Sequence, residues 1–241
     1  MKRLIKTYVA FDLETTGLSE ETDSIIEVGA VKVTDGKVTD RFMEFLKPAE
    51  EISPMITQIT GITNEMVAHA RNTKEVIDDF VKFCGEEVLL GHNILFDYKF
   101  MKRYAQKYQH PFERKGIDTL KIARKVHKDL ESRSLEALCT HYQIKNDAAH
   151  RAYHDALATA KLYHCLGHYF EKKEPKLFVP EQLLYQPRKE QPATEKQKRY
   201  LEKLCGWHRI AVPEDLEEMT RSEASRFIDR VIAKSGRMDR E

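Results

Sequence analysis

Two carboxylates near the N-terminus are the first residues that could do chemistry: Asp12 and Glu14, in the run Asp-Leu-Glu-Thr-Thr-Gly at 12–17. The apolar residues just before them, 8–11, indicate a strand. Because side chains alternate along a strand, the two carboxylates project to the same side. Adjacent carboxylates repel each other unless a cation bridges them, and hard oxygen ligands suit Mg²⁺ or Mn²⁺. The run therefore predicts a metal site, against the plainer alternative of an exposed strand end followed by a turn.

Two further acidic residues lie at the entrances of predicted helices. Asp97 follows a short apolar run at 88–90, which indicates a buried strand, and Asp155 opens a long helical segment shortly after His150. Each acid alone is an ordinary first-turn residue favoured by the helix dipole, and His150 alone is an ordinary loop histidine. Together with the first pair they form the set that a divalent-metal site requires. His154 is adjacent to Asp155 and would point elsewhere on the helix.

The elements that must position these residues alternate between strands and helices. The predicted strands are rich in apolar and β-branched residues: 7–14, 24–34, 37–46 and 88–90. An Asp-Gly pair at 35–36 indicates a tight hairpin, since a type I′ turn needs positive φ. The predicted helices show helical spacing or begin at a capping or proline residue: from 53–54, 73–84, 100–108, 134–142 and 152–170. A hairpin followed by alternating strands and helices is typical of an α/β fold with a mixed sheet.

The composition changes after residue 170. The stretch 171–192 contains four prolines and little periodicity, so we predict a linker, or an extended segment that wraps the domain formed by 1–170. Residues 193–241 hold two capping-box patterns, at Thr194 and Thr220, each followed by apolar residues at helical spacing. The sequence therefore predicts a large α/β domain, a linker and a small C-terminal two-helix module.

The overall composition excludes several classes of protein. Forty Lys and Arg residues against 39 Asp and Glu leave a formal charge of +1, so no global basic field indicates a protein that coats nucleic acid. No charge-free stretch approaches the roughly 20 residues of a membrane span, and the N-terminal residues lack the apolar segment of a signal peptide. The four cysteines are widely spaced, and this spacing matches neither a zinc motif nor a dense disulfide framework. We expect a cytoplasmic protein with no membrane partner.

In this order, the motifs Asp-x-Glu-Thr-Thr-Gly at 12–17, Asn-x-x-x-Asp at 93–97 and His-x-x-x-x-Asp at 150–155 resemble the DEDDh exonucleases. The likeness covers residues 7 to about 170 and is strongest to the proofreading exonuclease subunits and domains of bacterial replicative DNA polymerases. A sister branch carries Tyr-x-x-x-Asp, and here Arg151 stands at that tyrosine position, so the histidine branch is implied. The implied fold is ribonuclease H-like, a mixed β-sheet flanked by helices.

The resemblance implies a role for each motif residue. Two Mg²⁺ or Mn²⁺ ions per active site would be held by four carboxylates: Asp12, Glu14, Asp97 and Asp155. His150 would be the general base that takes a proton from the attacking water. The 3′-terminal nucleotide would be received by residues of the first two motifs: Leu13, Thr15, Thr16, Gly17 and Asn93.

The implied activity is a metal-dependent 3′→5′ exonuclease that releases 5′-mononucleotides from single-stranded or frayed DNA, as a proofreading or repair enzyme. Its partners would be nucleic acid 3′ ends, with DNA favoured over RNA, and a DNA polymerase or another replication or repair protein. Three alternatives stay open: an exoribonuclease acting on short RNA or RNA 3′ ends, a non-catalytic nucleic-acid or polymerase-binding module, and a C-terminal module that is itself the functional centre. The clustered carboxylates argue against the second, because a binding module does not need them.

Overall fold

The computed structural model describes residues 4–146, 148–189, 191–213 and 215–238. These residues divide into a first unit, Met1–Pro187, and a second unit, Arg188–Glu241. No helix among them is both long and apolar enough to cross a membrane.

A mixed sheet forms the centre of the first unit. Its described strands are β1 (Tyr8–Thr15), β2 (Ile25–Thr34), β3 (Lys37–Phe45), β4 (Leu89–Gly91), β5 (Lys115–Asp118) and β6 (Glu181–Gln182). Their spatial order is β3-β2-β1-β4-β5-β6. The first three strands are antiparallel, β4 and β5 run parallel to β1, and β6 is antiparallel to β5. The hairpin between β2 and β3 turns at Asp35 and Gly36, both with positive φ, as the Asp-Gly pair predicts.

Helices cover both faces of this sheet. They are α1 (Pro54–Thr60), α2 (Asn64–Val67), α3 (Thr73–Cys84), α4 (Ile94–Lys107), α5 (Thr119–Val126), α6 (Leu135–His141) and α7 (Ala152–Phe170). One core joins β1 residues such as Phe11 to Phe80 of α3 and Phe100 of α4. The other joins alternate residues of β1 to Tyr163 and Leu166 of α7. The predicted α/β class with a mixed sheet is confirmed.

Residues 171–187 pack on the first unit, where the sequence predicts the start of a linker. A 3-10 turn at Pro175–Phe178 carries Phe178 into the core, leaving it 4% exposed. Strand β6 then pairs with β5, and the Leu183 N–H donates to the Arg114 carbonyl at 2.9 Å. The boundary between the units lies after Pro187, inside the segment 171–192, and residues 171–187 match the alternative of an extended segment that wraps the domain. Isolated apolar residues separated by prolines have no helical or strand period, so the segment resembles a linker in sequence.

The second unit contains the two predicted helices, α8 (Glu195–His208) and α9 (Arg221–Ser235). Both begin with a complete capping box, at Thr194 and Thr220. Helix α8 runs through Gly206 and stops at Arg209, which has a left-handed conformation. The core of the unit is small: Ala193, Leu201, Cys205, Leu216, Met219 and Ala224.

Candidate active site

Asp12 and Glu14 lie on the sheet face that α7 covers. Along β1, Tyr8 and Ala10 belong to the core on that face, whereas Leu13 belongs to the opposite core. Because the side chains of a strand alternate, the even-numbered residues all point towards α7. The two carboxylates are therefore on one side, as their spacing predicts.

Helix α7 carries Asp155 to the same face through a close approach to β2. A Cβ on Gly29 of β2 would lie 1.9 Å from the backbone nitrogen of Tyr153, at the start of α7. Since any side chain at this position would collide with backbone, only glycine allows the helix to rest directly on the strand. Asp155, in the first turn of α7, is thereby placed over the end of the sheet and is 8% exposed.

A buried glutamate of β2 fixes the beginning of α7. The Glu27 carboxylate is 3% exposed and accepts the Ala152 N–H at 3.1 Å. It also accepts hydrogen bonds from Nε and Nη2 of Arg151, the latter at 2.9 Å. An acceptor for the first free N–H groups of a helix stabilises that helix end. Glu27 thus joins the strand opposite the first motif to the helix that carries the third.

Glu14, His150 and Asp155 converge in space. Each offers a potential ligand atom, and these atoms all lie within 4.8 Å of one another. His150 is exposed and has a left-handed backbone, with φ of 62°, which lets its N–H donate to Asp155 Oδ2 at 2.9 Å. Asn146 Nδ2 donates to Asp155 Oδ1 at 2.7 Å. The sequence analysis missed Asn146, because no motif or period marks it. Within the described residues, His154 is not part of this convergent group.

Asp97 reaches β1 from the start of α4. Strand β4 lies beside β1, and α4 begins directly after it. The Asp97 side chain is 4% exposed, and its Oδ1 accepts the Leu13 N–H at 3.0 Å. Asn93, just before α4, has a left-handed backbone and donates its N–H to Asp118 Oδ1 at 2.9 Å. Asp118 also caps α5, so one carboxylate fixes both chain segments that follow β4 and β5.

The remaining candidate nucleotide contacts form the turn after β1. Thr15 Oγ1 donates to the Gly17 carbonyl at 2.7 Å, and Thr16 Oγ1 accepts the Ser24 N–H at 2.9 Å. Gly17 packs so closely on Asp23 that a Cβ would lie 2.4 Å from its carboxylate. The two threonines therefore also shape the turn. The Leu13 side chain lies in the opposite core, 5% exposed, so any contact from Leu13 to a nucleotide would come from its backbone.

Burial raises the pKa of all four carboxylates, and repulsion between them adds to it for Asp12 and Glu14. Burial raises the pKa of Glu14 to about 8, with repulsion from Asp155 and Glu27 adding to it. Burial followed by repulsion from Asp97 and Glu14 holds the pKa of Asp12 well above its ordinary range. The pKa of Asp97 is raised chiefly by burial, and so is that of Asp155. Closely spaced carboxylates that cannot all ionise alone are the donor set that a hard divalent cation would neutralise. A divalent metal therefore fits these residues.

Comparisons with known proteins agree with this geometry. Residues 9–163 match the family model described as RNase T exonuclease. The chain is 41% identical over 156 residues to the PolC-type DNA polymerase III of Caldanaerobacter subterraneus, a match that covers 65% of this chain and 11% of that protein. The chain thus spans a small part of the length of the curated relatives it matches.

Two solved structures share the fold of the first unit. Exonuclease X in complex with 5′ overhanging duplex DNA superposes with a TM-score of 0.54 and 25% identity, over 71% of this chain and 99% of that one. Exonuclease I gives a TM-score of 0.61 and 22% identity, over 72% of this chain and 42% of that one. The predicted ribonuclease H-like fold is confirmed. The second unit lies outside the residues that match the family model.

Proposed function

We propose, for a chain that belongs to the DEDD family of 3′→5′ exonucleases, that the site at the end of β1 hydrolyses the terminal phosphodiester bond of a DNA strand. The observation that carries this assignment is the meeting of Glu14, His150 and Asp155 within 4.8 Å. The three residues come from two distant parts of the chain, and the other two motif acids are electrostatically coupled to them. A structural role would not require so many like charges in one place.

The metal ligands would be Asp12, Glu14, Asp97 and Asp155, which would hold two Mg²⁺ or Mn²⁺ ions. When bound, such ions stabilise negative charge on the attacking and leaving oxygens and make water easier to deprotonate. Asn146 and the His150 N–H orient the Asp155 carboxylate by donating to its two oxygens. The Leu13 N–H orients the Asp97 carboxylate in the same way.

His150 would act as the general base. Its side chain is exposed at the edge of the carboxylate cluster, where an incoming phosphate and water can reach it. A neutral imidazole can accept a proton from water. The left-handed backbone at His150 sets the ring at the mouth of the site while its N–H stays bound to Asp155.

The substrate would be the 3′ end of single-stranded or frayed DNA, with 5′-mononucleotides as products. Support comes from the similarity to a DNA polymerase and to an exonuclease whose structure contains DNA. The turn formed by Thr15, Thr16 and Gly17, together with Asn93, borders the carboxylates and would receive the terminal nucleotide. A DNA polymerase or another replication or repair protein in the cytoplasm would be the partner.

Hydrolysis of a 5′-labelled single strand by the full chain tests this proposal. With Mg²⁺ or Mn²⁺ we expect a descending ladder of products, and with excess EDTA no reaction. Asp12→Asn should be inactive yet folded, because removing a charge from the cluster relieves repulsion. A circular strand should resist digestion, and a matched RNA should react more slowly. Immediate release of the label as a mononucleotide would show the opposite polarity, and full activity in EDTA would contradict the metal mechanism.

A further inference from the structure

One face of α8 in the second unit is not used by the proposed catalytic site. On its inner side, Leu201 and Cys205 belong to the small core of the unit, and Leu204 is also buried. The opposite side carries three basic and two aromatic residues at helical spacing, here called the α8 stripe: Lys196, Arg199, Tyr200, Lys203 and Trp207. At 3.6 residues per turn they fall within an arc of about 100°. The two acidic residues of the helix, Glu195 and Glu202, lie outside that arc.

The cations of the α8 stripe are exposed and not neutralised. Lys196, Arg199 and Lys203 are all exposed, and none of them forms an ion pair with any residue that the structure describes. Lys198, off the stripe, differs: its side chain is 13% exposed and pairs with Glu195 and Glu217. The stripe therefore presents local positive charge on a chain whose formal net charge is only +1.

Trp207 gives the stripe its chemical character. It is the only tryptophan of the chain and is 53% exposed. The exposed indole leaves apolar area in contact with water. Covering that area with a bound ring would be favourable. Cations that follow a phosphate backbone, combined with aromatic rings on which bases stack, are the usual means of binding single-stranded nucleic acid. In a duplex the base faces are already stacked on one another, so such rings select unpaired strands.

We propose that the α8 stripe binds single-stranded DNA, with a base stacked on Trp207 and phosphates near Lys196, Arg199 and Lys203. The choice of DNA over other single strands rests on the proposed function of the first unit. The stripe would be a second nucleic-acid site on the same chain. Because both sites belong to one polypeptide, a strand held by one has a raised effective concentration at the other.

The fluorescence of Trp207 reports directly on this contact. The full chain is titrated with a 30-nucleotide oligo-dT in EDTA, where hydrolysis does not occur, and binding is followed in parallel by the anisotropy of a labelled oligo-dT. Saturable quenching with the same midpoint as the anisotropy is expected, whereas inorganic phosphate at equal ionic strength should leave the emission unchanged. Unchanged emission while the anisotropy saturates would overturn the proposal. Tighter binding of oligo-rU or of a blunt duplex would overturn its assignment to single-stranded DNA.

Two double variants distinguish an effect of charge on the α8 stripe from an effect of the net charge of the chain. The double variant Arg199→Gln with Lys203→Gln should make the binding constant less dependent on salt. The negative slope of its logarithm against log salt concentration should become shallower by about 1.4, since each phosphate contact contributes about 0.7 for single strands. The matched control is Lys172→Gln with Lys173→Gln, which removes the same charge from two exposed residues of the first unit and should bind like wild type. Trp207→Ala should weaken binding by roughly 5- to 160-fold, as expected for one base stack.

Equal losses in the two double variants would mean that only net charge matters and would overturn the proposal, as would unchanged binding by Trp207→Ala. Melting temperatures of all variants identify any effect of unfolding, and Trp207→Phe, which keeps a stacking ring, should retain most of the affinity. Because binding is measured without catalysis, a chain that binds through the stripe yet hydrolyses nothing would refute the proposed function alone.

Discussion

Glu27 lies directly opposite Glu14 in the antiparallel register of β1 and β2, yet its carboxylate is bound to the start of α7. Glu27 therefore lies next to the candidate site but forms an ion pair with Arg151. This pairing allows a buried carboxylate to lie beside the candidate ligand carboxylates without being one of the proposed ligands.

Glu27→Ala should destabilise the fold by about 3 kcal/mol, at the low end for a broken buried pair because Arg151 is partly exposed. Activity should also fall, since α7 and Asp155 lose their anchor. Urea denaturation measures the first effect. Glu44→Ala is a matched control, because Glu44 is also a strand glutamate paired with an arginine, Arg71, but its side chain is 30% exposed against 4% for that of Glu27. Its cost should stay below about 1 kcal/mol. Similar losses in both variants would contradict the anchoring role of Glu27.

Removing metal should give the protein an unusual pH dependence. The pKa of Glu14 is raised to about 8 from an ordinary value of 4.5 by burial and by its acidic neighbours. Between these values the folded state keeps a proton that the unfolded state has released, so stability is lost as the pH rises towards 8. We therefore expect Tm in EDTA to fall between pH 6.5 and 8, and Mg²⁺ to restore it most at pH 8. Differential scanning calorimetry of wild type and Glu14→Gln checks this, and an equal slope in both proteins would be the contrary result.

His150→Ala should lower kcat by ~10²–10⁴-fold with little change in KM, the usual contribution of a general base. In the wild type, kcat/KM should rise with pH and then level off, because a general base accepts a proton only in its unprotonated form. Steady-state kinetics on a short oligonucleotide across pH measure both. His154→Ala is the control, since His154 is outside the convergent group, and its effect should be mild. A flat pH profile would mean that another group accepts the proton.

Two truncations test where the first unit ends. A chain of residues 1–170 lacks Phe178 and β6, and the loss of a buried phenylalanine alone costs about 3–5 kcal/mol. A chain of residues 1–187 keeps both, so it should unfold at a clearly higher temperature and retain kcat on a short single strand within a few-fold. If 1–187 folds well but is inactive, the second unit belongs to the catalytic site.

Much of this architecture follows from local patterns. Alternation along β1 predicts that Asp12 and Glu14 share a face, and apolar spacing predicts α7 with the bounds observed. Strand β5 and helix α5 are not predicted, because four residues that include a glycine carry too little apolar period. The role of Glu27 is also missed, because it depends on contacts with Arg151 and Ala152, which are distant in sequence. Asn146 is missed because it belongs to no recognisable motif. The catalytic roles themselves stay predictions.

The alternation of β1 has a consequence for how this site can vary. Its carboxylates and its core residues alternate in sequence and face opposite sides of the sheet. Which side a residue faces depends on whether it stands at an even or an odd position in the strand. Deleting a single residue within 8–11 would move Asp12 and Glu14 towards the apolar core beside Phe80 and bring Leu13 to the mouth of the site. A single substitution along this strand changes one side chain, whereas a change of length by one residue would exchange its carboxylate-bearing and apolar faces.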